Sequence, residues 1–211
     1  MPNARFRKLP IDKQVHILEI AAKAFAKHGV EAASINQILV EAGMSKGAAY
    51  YYFENKADLF DTAARHCWDS FVRHVDFSLK GVTAKTFWPR VYKIQQHAIA
   101  HMAADPVITT VAKSLWRKDS ILNHYGAIEE IVEWTRGWIR EMITKGQDLG
   151  LIREDLPVDL LVGIVTAADQ AMDHYLATQG GGYPLDQVLM MGKQVCDGFR
   201  LFLAPPRKRG R

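Results

Sequence analysis

The sequence predicts an all-α protein of about nine helices, arranged in an N-terminal and a C-terminal part. Three observations carry this prediction. Apolar residues recur at steps of three or four along each long segment, no window shows the sustained alternation of a β-strand, and Gly and Pro residues separate the segments at helix length. The chain shows no internal repeat period, which fits two distinct helical parts.

The composition excludes several classes of protein. Hydrophobic residues make up 48% and charged residues 24% of the 211-residue chain, as in soluble globular proteins. No apolar run reaches the roughly 18 residues that a membrane helix needs, so we expect no membrane partner. The segment 1–10 lacks an apolar signal core, which predicts a cytoplasmic protein. Cys67 and Cys196 form no motif and are interpreted as buried thiols in a reducing compartment.

Positive charge is concentrated at the two ends of the chain. The net charge is +4, the segment 205–211 reads PPRKRGR, and the middle of the chain is mildly acidic. A weakly charged body with basic ends favours a sequence-specific DNA binder over a nucleic-acid coat protein. Arg5, Arg7 and Lys8 precede Pro10. This arm can lie along phosphates or in a minor groove, or it can be a disordered, solvated terminus.

The first long helix is predicted over residues 11–28 and ends at Gly29, a C-cap. Its apolar residues form one stripe at steps of four and three: Ile11, Val15, Leu18, Ala22 and Phe25. This helix is expected to support its neighbours by packing.

A helix, a turn and a second short helix follow. Ser34 is a good N-cap, because its hydroxyl can accept a hydrogen bond from an amide of the next turn. Ile35, Ile38 and Leu39 then form one helix face, and Gly43 can end the helix by taking a positive φ. Ser45 is an N-cap for a short helix over 46–52, and Asn55 caps a longer one. This is the shape of a helix-turn-helix motif, whose second helix enters the DNA major groove.

Side chains in the segment 45–56 fit a helix in a DNA groove. Four can donate to phosphates: Lys46, Tyr51, Tyr52 and Lys56. Three are small enough to let the helix approach the bases: Gly47, Ala48 and Ala49. The alternative is a buried helical hairpin with aromatic residues inside. Three consecutive tyrosines argue against it, because they cover about 300° of a helix and cannot all face one core.

These residues resemble those of a known family. The run SKGAAYYYFENKADLF, residues 45–60, resembles the recognition helix and the start of the fourth helix of the TetR family of repressors. Residues 25–29 and 34–38 resemble the first and second helices of that family. The resemblance is specific over about residues 10–65 and rests on length and helical pattern beyond them.

The resemblance implies a division of the chain and a set of partners. It implies a helix-turn-helix DNA-binding domain over 10–70, a ligand-binding and dimerisation domain over 71–205, and a basic tail over 206–211. The implied partners are a palindromic or near-palindromic double-stranded operator, a small-molecule inducer and a second copy of the chain. The residues expected at the operator are Ser34, Ser45, Lys46, Gly47, Ala48, Ala49, Tyr51, Tyr52 and Lys56.

A long helix is predicted from Lys56 to about Leu79, closed by Gly81. Apolar residues on both of its sides indicate burial against two partners: Leu59, Ala63, Cys67, Phe71 and Val75, flanked by Phe60, Ala64, Trp68 and Val72. One end lies near the DNA and the other must reach the rest of the protein, so we interpret this helix as a lever. Further helices are predicted over residues 86–104, 106–116, 120–149, 157–179 and 184–203.

The C-terminal part carries aromatic residues on several helices. Ligand sites are mostly apolar and aromatic with few polar anchors, and often lie between helices. An ordinary core is the better interpretation of any single residue, and the resemblance favours a pocket for the group. The predicted pocket residues are Trp88, Tyr92, His97, His101, Trp116, Tyr125, Trp134, Trp138, Asp169, Met172, Asp173 and Tyr175. Because an inward carboxylate would need a histidine, an arginine or a cationic ligand, we expect an apolar or aromatic ligand with one polar end.

Catalytic and metal-binding motifs are weak. His97 and His101 stand at the spacing of one helical turn and could share a metal, but no HExxH sequence is present. The chain also lacks GxGxxG, phosphate-loop and Gly-x-Ser-x-Gly sequences. We therefore predict no enzyme, no metal site and no cofactor.

The last two helices are predicted to form a dimer interface. Gly163, Ala167 and Ala171 recur every four residues and would permit close approach of another helix, while the opposite side of the same helix is also apolar. Two such helices cannot bury both faces within one thin subunit, whereas a four-helix bundle with their copies would. The predicted interface residues are Gly163, Ala167, Ala171, Leu189, Gly192, Cys196 and Phe199.

Together these features predict a homodimeric transcriptional repressor that a small ligand releases from DNA. Two alternatives within DNA binding are a regulator without a small ligand and an activator. A more remote alternative is an α-helical enzyme that carries a DNA-binding module.

Overall fold

The computed structural model describes residues 4–45, 49–104, 126–178 and 183–206. These residues form helices and connecting turns without any strand, so the predicted all-α class is confirmed. Their nine helices are α1 (Ala4–Arg7), α2 (Ile11–His28), α3 (Ile35–Glu41), α4 (Ala49–Tyr52), α5 (Lys56–Val75), α6 (Phe87–Ala104), α7 (Gly126–Asp148), α8 (Val158–Thr178) and α9 (Leu185–Leu203). The predicted helix over 106–116 lies outside the described residues. None of the helices described here is long and apolar enough to cross a membrane.

The chain divides into two compact units. The N-terminal unit comprises Met1–His74 together with Ala104–Ile131, and the C-terminal unit comprises Val75–Ala103 together with Val132–Arg211. The predicted domains, 10–70 and 71–205, are continuous in sequence, whereas each compact unit combines two segments of the chain. The predicted limits therefore stay a prediction.

The core of the N-terminal unit forms around α5. The predicted apolar stripe of α5 is buried within this unit at Leu59, Ala63, Cys67 and Phe71, and Val75, the first residue of the C-terminal unit, is buried as well. The Phe60 ring meets the Phe25 ring of α2 edge to face, with 5.4 Å between centroids. On α3, the predicted face is buried as well: Ile35, Ile38 and Leu39.

The first turn of α7 also belongs to this unit and is tied to α5 by charged groups. The Asp61 carboxylate accepts a hydrogen bond from the backbone amide of Ala127 at 2.5 Å. Arg65 pairs with Asp61 at 3.2 Å and with Glu130. Since an orphan amide at a helix start attracts negative charge, Asp61 fixes the start of α7 against α5.

Two predictions about helices were wrong, and one open alternative is decided. Residues 4–7 form α1 and Phe6 is buried, so this part of the arm before Pro10 is not a solvated terminus. Ile11 was predicted to lie on the apolar stripe of α2 but is 77% exposed. The first buried residue of α2 is Ile17. The long helix from Lys56 ends at Val75 rather than near Leu79.

The early end of α5 has a local cause. Asp76 takes a φ of 51°, which a helix interior does not tolerate. Its carboxylate accepts a hydrogen bond from the Ser78 amide at 3.3 Å, and Arg90 of α6 donates to its carbonyl oxygen at 2.6 Å. Side chains therefore satisfy the backbone groups that another helical turn would have used.

The C-terminal unit packs α6, α7, α8 and α9 around an apolar core. The most deeply buried side chains come from all four helices and one connecting turn: Phe87, Ile94, Ile143, Ile152, Leu161 and Leu203. α7 ends before Gly150, whose φ of 68° makes it the predicted C-terminal stop. Gly146, one turn earlier, is buried against Phe87 and Ile152.

Candidate DNA-binding surface and helical ligand domain

The turn after α3 has the geometry of a helix-turn-helix motif. At the start of α3, the Ser34 hydroxyl accepts a hydrogen bond from the Gln37 amide at 3.4 Å, so the predicted N-cap is present. At its end, Met44 donates to the Leu39 carbonyl at 2.8 Å and Gly43 donates to the Val40 carbonyl at 3.0 Å. Gly43 has a φ of 73°. These two crossing bonds and the left-handed glycine define a Schellman motif, which turns the chain sharply towards α4.

The start of α5 is capped as predicted. The Asn55 side chain accepts a hydrogen bond from the Asp58 amide at 2.9 Å, and the buried Asp58 carboxylate accepts one from the Glu54 amide at 3.3 Å. This reciprocal pattern resembles a capping box and fixes the angle between α4 and α5.

α4 presents its tyrosines to different sides. Tyr50 is 66% exposed, Tyr51 is 49% exposed and Tyr52 is half-buried, whereas Phe53, directly after the helix, is fully buried. The Tyr51 and Tyr52 rings pack edge to face with 5.0 Å between centroids. These exposures favour a solvent-facing helix over the alternative of a buried hairpin.

The other predicted DNA contacts are partly described. Ser34 and Ser45 are exposed. Lys56 is half-buried, and its ammonium donates to the Glu31 carbonyl oxygen. Because a lysine ammonium has three donors, this bond holds the side chain in place and leaves capacity for a phosphate. Lys46, Gly47 and Ala48 lie outside the described residues, as does the side chain of Ala49.

Sequence reasoning missed Tyr50 on this surface, and it named Arg5 only as part of a basic arm, without its neighbour on α4. Tyr50 is 66% exposed, more than its neighbour Tyr51. The argument that three consecutive tyrosines cannot all face one core included Tyr50 and could have identified it. Arg5 of α1 lies with its guanidinium carbon 4.2 Å from the centroid of the Tyr51 ring. No sequence pattern could have joined residues so far apart.

The predicted ligand-pocket residues that the structure describes differ in their burial and in their neighbours. Trp88 is buried, and Trp134 and Trp138 are half-buried around Phe77, whose ring centroid lies 4.9 and 5.4 Å from theirs. The Trp138 indole donates to the Phe77 carbonyl at 3.0 Å. This aromatic cluster of Phe77, Trp134 and Trp138 stabilises the turn after α5.

Other predicted pocket residues lie closer to the surface of the C-terminal unit. His97 is exposed, and Tyr175 is 47% exposed with its hydroxyl 2.8 Å from that of Tyr183. Tyr92 is half-buried and donates to the Asp197 carboxylate. His101 is half-buried. Trp116 and Tyr125 lie outside the described residues, as does the side chain of Asp173. Among the residues described, no three potential metal-ligating side chains gather at one point.

α8 places polar groups in an apolar setting. Asp169 is half-buried, and burial raises the pKa of its carboxyl from 3.8 to about 6. One turn earlier, the Thr166 hydroxyl is buried without a hydrogen-bond partner in the described part of the chain. Met172, one turn later, is half-buried. This segment of α8 is therefore the best candidate for a polar anchor inside the C-terminal unit.

The predicted interface residues fall into two sets. Ala167 and Ala171 are exposed, and no described heavy atom lies within 4 Å of a Cβ built on Gly163. Leu189 and Phe199 are half-buried.

The second set corrects the prediction. Gly192 and Cys196 are buried within the chain rather than presented at its surface. The Gln95 side chain of α6 donates to the Gly192 carbonyl at 2.8 Å, so this face of α9 packs on α6. Burial also raises the pKa of the Cys196 thiol to about 12, which makes it a poor nucleophile.

The fold and the geometry of the N-terminal unit are those of helix-turn-helix DNA-binding regulators. Residues 17–63 match the family model of bacterial regulatory proteins of the tetR family. The HTH-type transcriptional repressor AcnR of Corynebacterium diphtheriae is 25% identical over 192 residues, which cover 90% of this chain and 93% of that protein. The N-terminal part of the chain is therefore similar to the tetR family of bacterial regulatory proteins, and most of the chain is similar to a repressor.

Solved structures share the fold. The transcriptional regulator FadR from Bacillus subtilis, in complex with stearoyl-CoA, superposes with a TM-score of 0.71 at 19% identity, covering 87% of this chain and 96% of that one. A SmeT–triclosan complex superposes with a TM-score of 0.68 at 17% identity, covering 89% of this chain and 90% of that one.

Proposed function

We propose that this protein is a homodimeric transcriptional repressor that binds operator DNA through α4 and is released by a small, mainly apolar or aromatic ligand. The observation that carries the proposal is the helix-turn-helix geometry of the described residues, in which the Gly43 turn leads to an α4 with exposed Tyr50 and Tyr51. A tyrosine hydroxyl donates to phosphate oxygens without reading the sequence, so Tyr51 and the half-buried Tyr52 would position the helix. Lys56, held by the Glu31 carbonyl, would add a charge at the start of α5.

The exposed apolar residues of α8 and α9 support dimerisation. Leu160, Tyr175, Leu185, Met190 and Phe202 are each more than a third exposed, which is unusual for large apolar side chains on neighbouring helices. Leu160 and Tyr175 share one side of α8 with Ala167 and Ala171, and this side suits a four-helix bundle with a second copy. A two-fold dimer would place its recognition helices on successive major grooves, about 34–36 Å apart, and would require a near-palindromic operator.

The C-terminal unit supports a ligand with one polar end. Its interior is apolar, and the Asp169 carboxyl and the buried Thr166 hydroxyl are the polar groups that a ligand could satisfy. FadR was solved with stearoyl-CoA and SmeT with triclosan, and both are ligands with large apolar parts. Ligand binding would favour a conformer in which the recognition helices no longer match the operator. Action on chromosomal DNA would place the protein in the cytoplasm.

The experiment is a binding titration with DNA from the region upstream of the protein's own gene, competed by unrelated duplex. Specific binding by the wild type is expected, and Gly43→Val should abolish it, because a β-branched residue does not tolerate the positive φ of the turn. The matched control is Gly81→Val, which places the same side chain at a glycine of similar φ, 75°, in the C-terminal unit. A panel of hydrophobic and aromatic compounds then tests release. Equal affinity for the upstream DNA and for unrelated duplex would refute the proposed function.

A further inference from the structure

α1 is an anchored basic helix rather than a loose arm. The Phe6 side chain is 2% exposed, and its ring centroid lies 4.8 Å from that of Phe53, directly after α4. The Gln14 amide of α2 donates to the carbonyls of Leu9 at 2.8 Å and Arg7 at 3.3 Å. The ring contact with Phe53 thus fixes α1 beside the end of α4, and the hydrogen bonds of Gln14 fix it to α2.

The outer side of α1 is positively charged. Arg5, Arg7 and Lys8 are all exposed, and the segment 4–10 contains no acidic residue. Arg5 lies over the ring of Tyr51, the exposed tyrosine that we expect to contact phosphate. α1 precedes residues 17–63, so it lies outside the segment that the family model matches.

Stacking determines what the Arg5 side chain can do. A guanidinium that lies on an aromatic ring uses its flat face, and its N–H groups point outward around the edge of the plane. That edge is the part that binds a phosphate bidentately. Because the ring already restricts the side chain, less conformational entropy is lost on binding than for an arginine in a disordered arm.

We propose that α1 is a DNA-contacting element in which Arg5, stacked on the Tyr51 ring and positioned by the buried Phe6, binds a backbone phosphate beside the recognition helix. The inference rests on the proposed DNA binding and adds to it a contact outside the helix-turn-helix motif. Arg7 and Lys8 extend the same positive surface. Since phosphates carry no base identity, this contact strengthens binding to every duplex.

The test is the salt dependence of binding to a fluorescent duplex of mixed sequence, which requires no knowledge of the operator. Each phosphate contact contributes about 0.9 to the slope of log K against log salt concentration, so a dimer of Arg5→Ala should lose about 1.8. Arg5→Lys keeps the charge and hence the slope, but should bind about two- to fivefold more weakly because an ammonium cannot stack in the same way. The control is Lys80→Ala, which removes one exposed positive charge from the C-terminal unit.

Phe6→Ala separates the anchor from the charge. If α1 must be docked to contact DNA, this variant should lose as much slope as Arg5→Ala while keeping all three basic residues. Circular dichroism and melting temperature establish that both variants are folded, and the Arg5 pair decides the question if Phe6→Ala is not. A wild type that binds duplex, with Arg5→Ala equal to Lys80→Ala in slope and affinity, would overturn the role of α1. A wild type that binds no duplex would refute the proposed DNA binding itself.

Discussion

Two glycines on α7 offer a direct test of the packing in the C-terminal unit. A Cβ added at Gly146 would stand 2.4 Å from Cδ1 and 2.6 Å from Cγ1 of Ile152, and 3.0 Å from Cζ of Phe87. Both neighbours are almost completely buried, so neither has room to move. A Cβ added at Gly137 on the same helix meets no described heavy atom within 4 Å.

The two substitutions should have opposite effects. Alanine is favoured over glycine in a helix by about 1 kcal/mol, so Gly137→Ala should stabilise the protein by about 0.5–1 kcal/mol. At Gly146 the higher helix propensity of alanine is outweighed by overpacking of the core. Overpacking costs about 1–3 kcal/mol in a dense core, and more when several contacts are too short. We therefore expect Gly146→Ala to destabilise by about 1–2 kcal/mol. For a chain of this size, each kcal/mol shifts the melting temperature by about 2–4 °C.

The assay is urea denaturation at one fixed protein concentration, since dimerisation makes apparent stability concentration-dependent. Ile152→Val removes the Cδ1 methyl that stands closest to the new Cβ. In combination with Gly146→Ala it should therefore cost less than the sum of the two single changes. If Gly146→Ala were as stable as Gly137→Ala, or the double variant simply additive, α7 would not pack against Ile152 as described.

Three further changes test the two proposed surfaces and the buried carboxyl. Lys56→Ala should weaken binding to all DNA sequences and reduce the salt slope by about 0.9 per protomer, and a changed base preference at an unchanged slope would contradict a phosphate contact. Ala167→Trp should overpack the exposed side of α8 and give monomers or insoluble protein, whereas a soluble dimer of unchanged stability in sedimentation would remove Ala167 from the interface. Because burial raises the pKa of Asp169 to about 6, above its ordinary 3.8, the folded state binds this proton more tightly, and stability should fall as pH rises between these values. This loss of stability amounts to at most about 3 kcal/mol, and to less for a half-buried group. Asp169→Asn should abolish the pH dependence, which is measured as urea midpoints across this pH range.

Local chemistry made the helix-turn-helix motif predictable. Ser34, Gly43 and Asn55 act through their own side chains or backbone within a few residues, so their roles follow from sequence and are present in the structure. The α1 contact was not predictable, because Phe6 and Arg5 meet Phe53 and Tyr51 across a long stretch of chain. A basic arm that docks and one that is solvated have the same composition.

Helical phase was a weaker guide where a helix is apolar on more than one side. On α9 it identified a broad face but could not divide it, and Gly192 and Cys196 pack on α6 while Met190 is 56% exposed. On α8 the small-residue side with Ala167 and Ala171 is the exposed one, and Leu161, Val162 and Val165 are buried. The direction of a helix face depends on its neighbours, which a single sequence does not contain.

The sequence predicted a ligand with one polar end, and the structure adds a physical reason for that prediction at Asp169 and Thr166. A carboxyl in an apolar setting and a buried hydroxyl without a described partner both lower the stability of the unliganded fold. A ligand that donates hydrogen bonds to Asp169 and Thr166 removes both costs, and this gain adds to what its apolar part contributes. If the Asp169 carboxyl and the Thr166 hydroxyl have other surroundings in the DNA-bound conformer, the ligand binds the two conformers with different affinity. Allosteric coupling of about 1–3 kcal/mol requires no more than that.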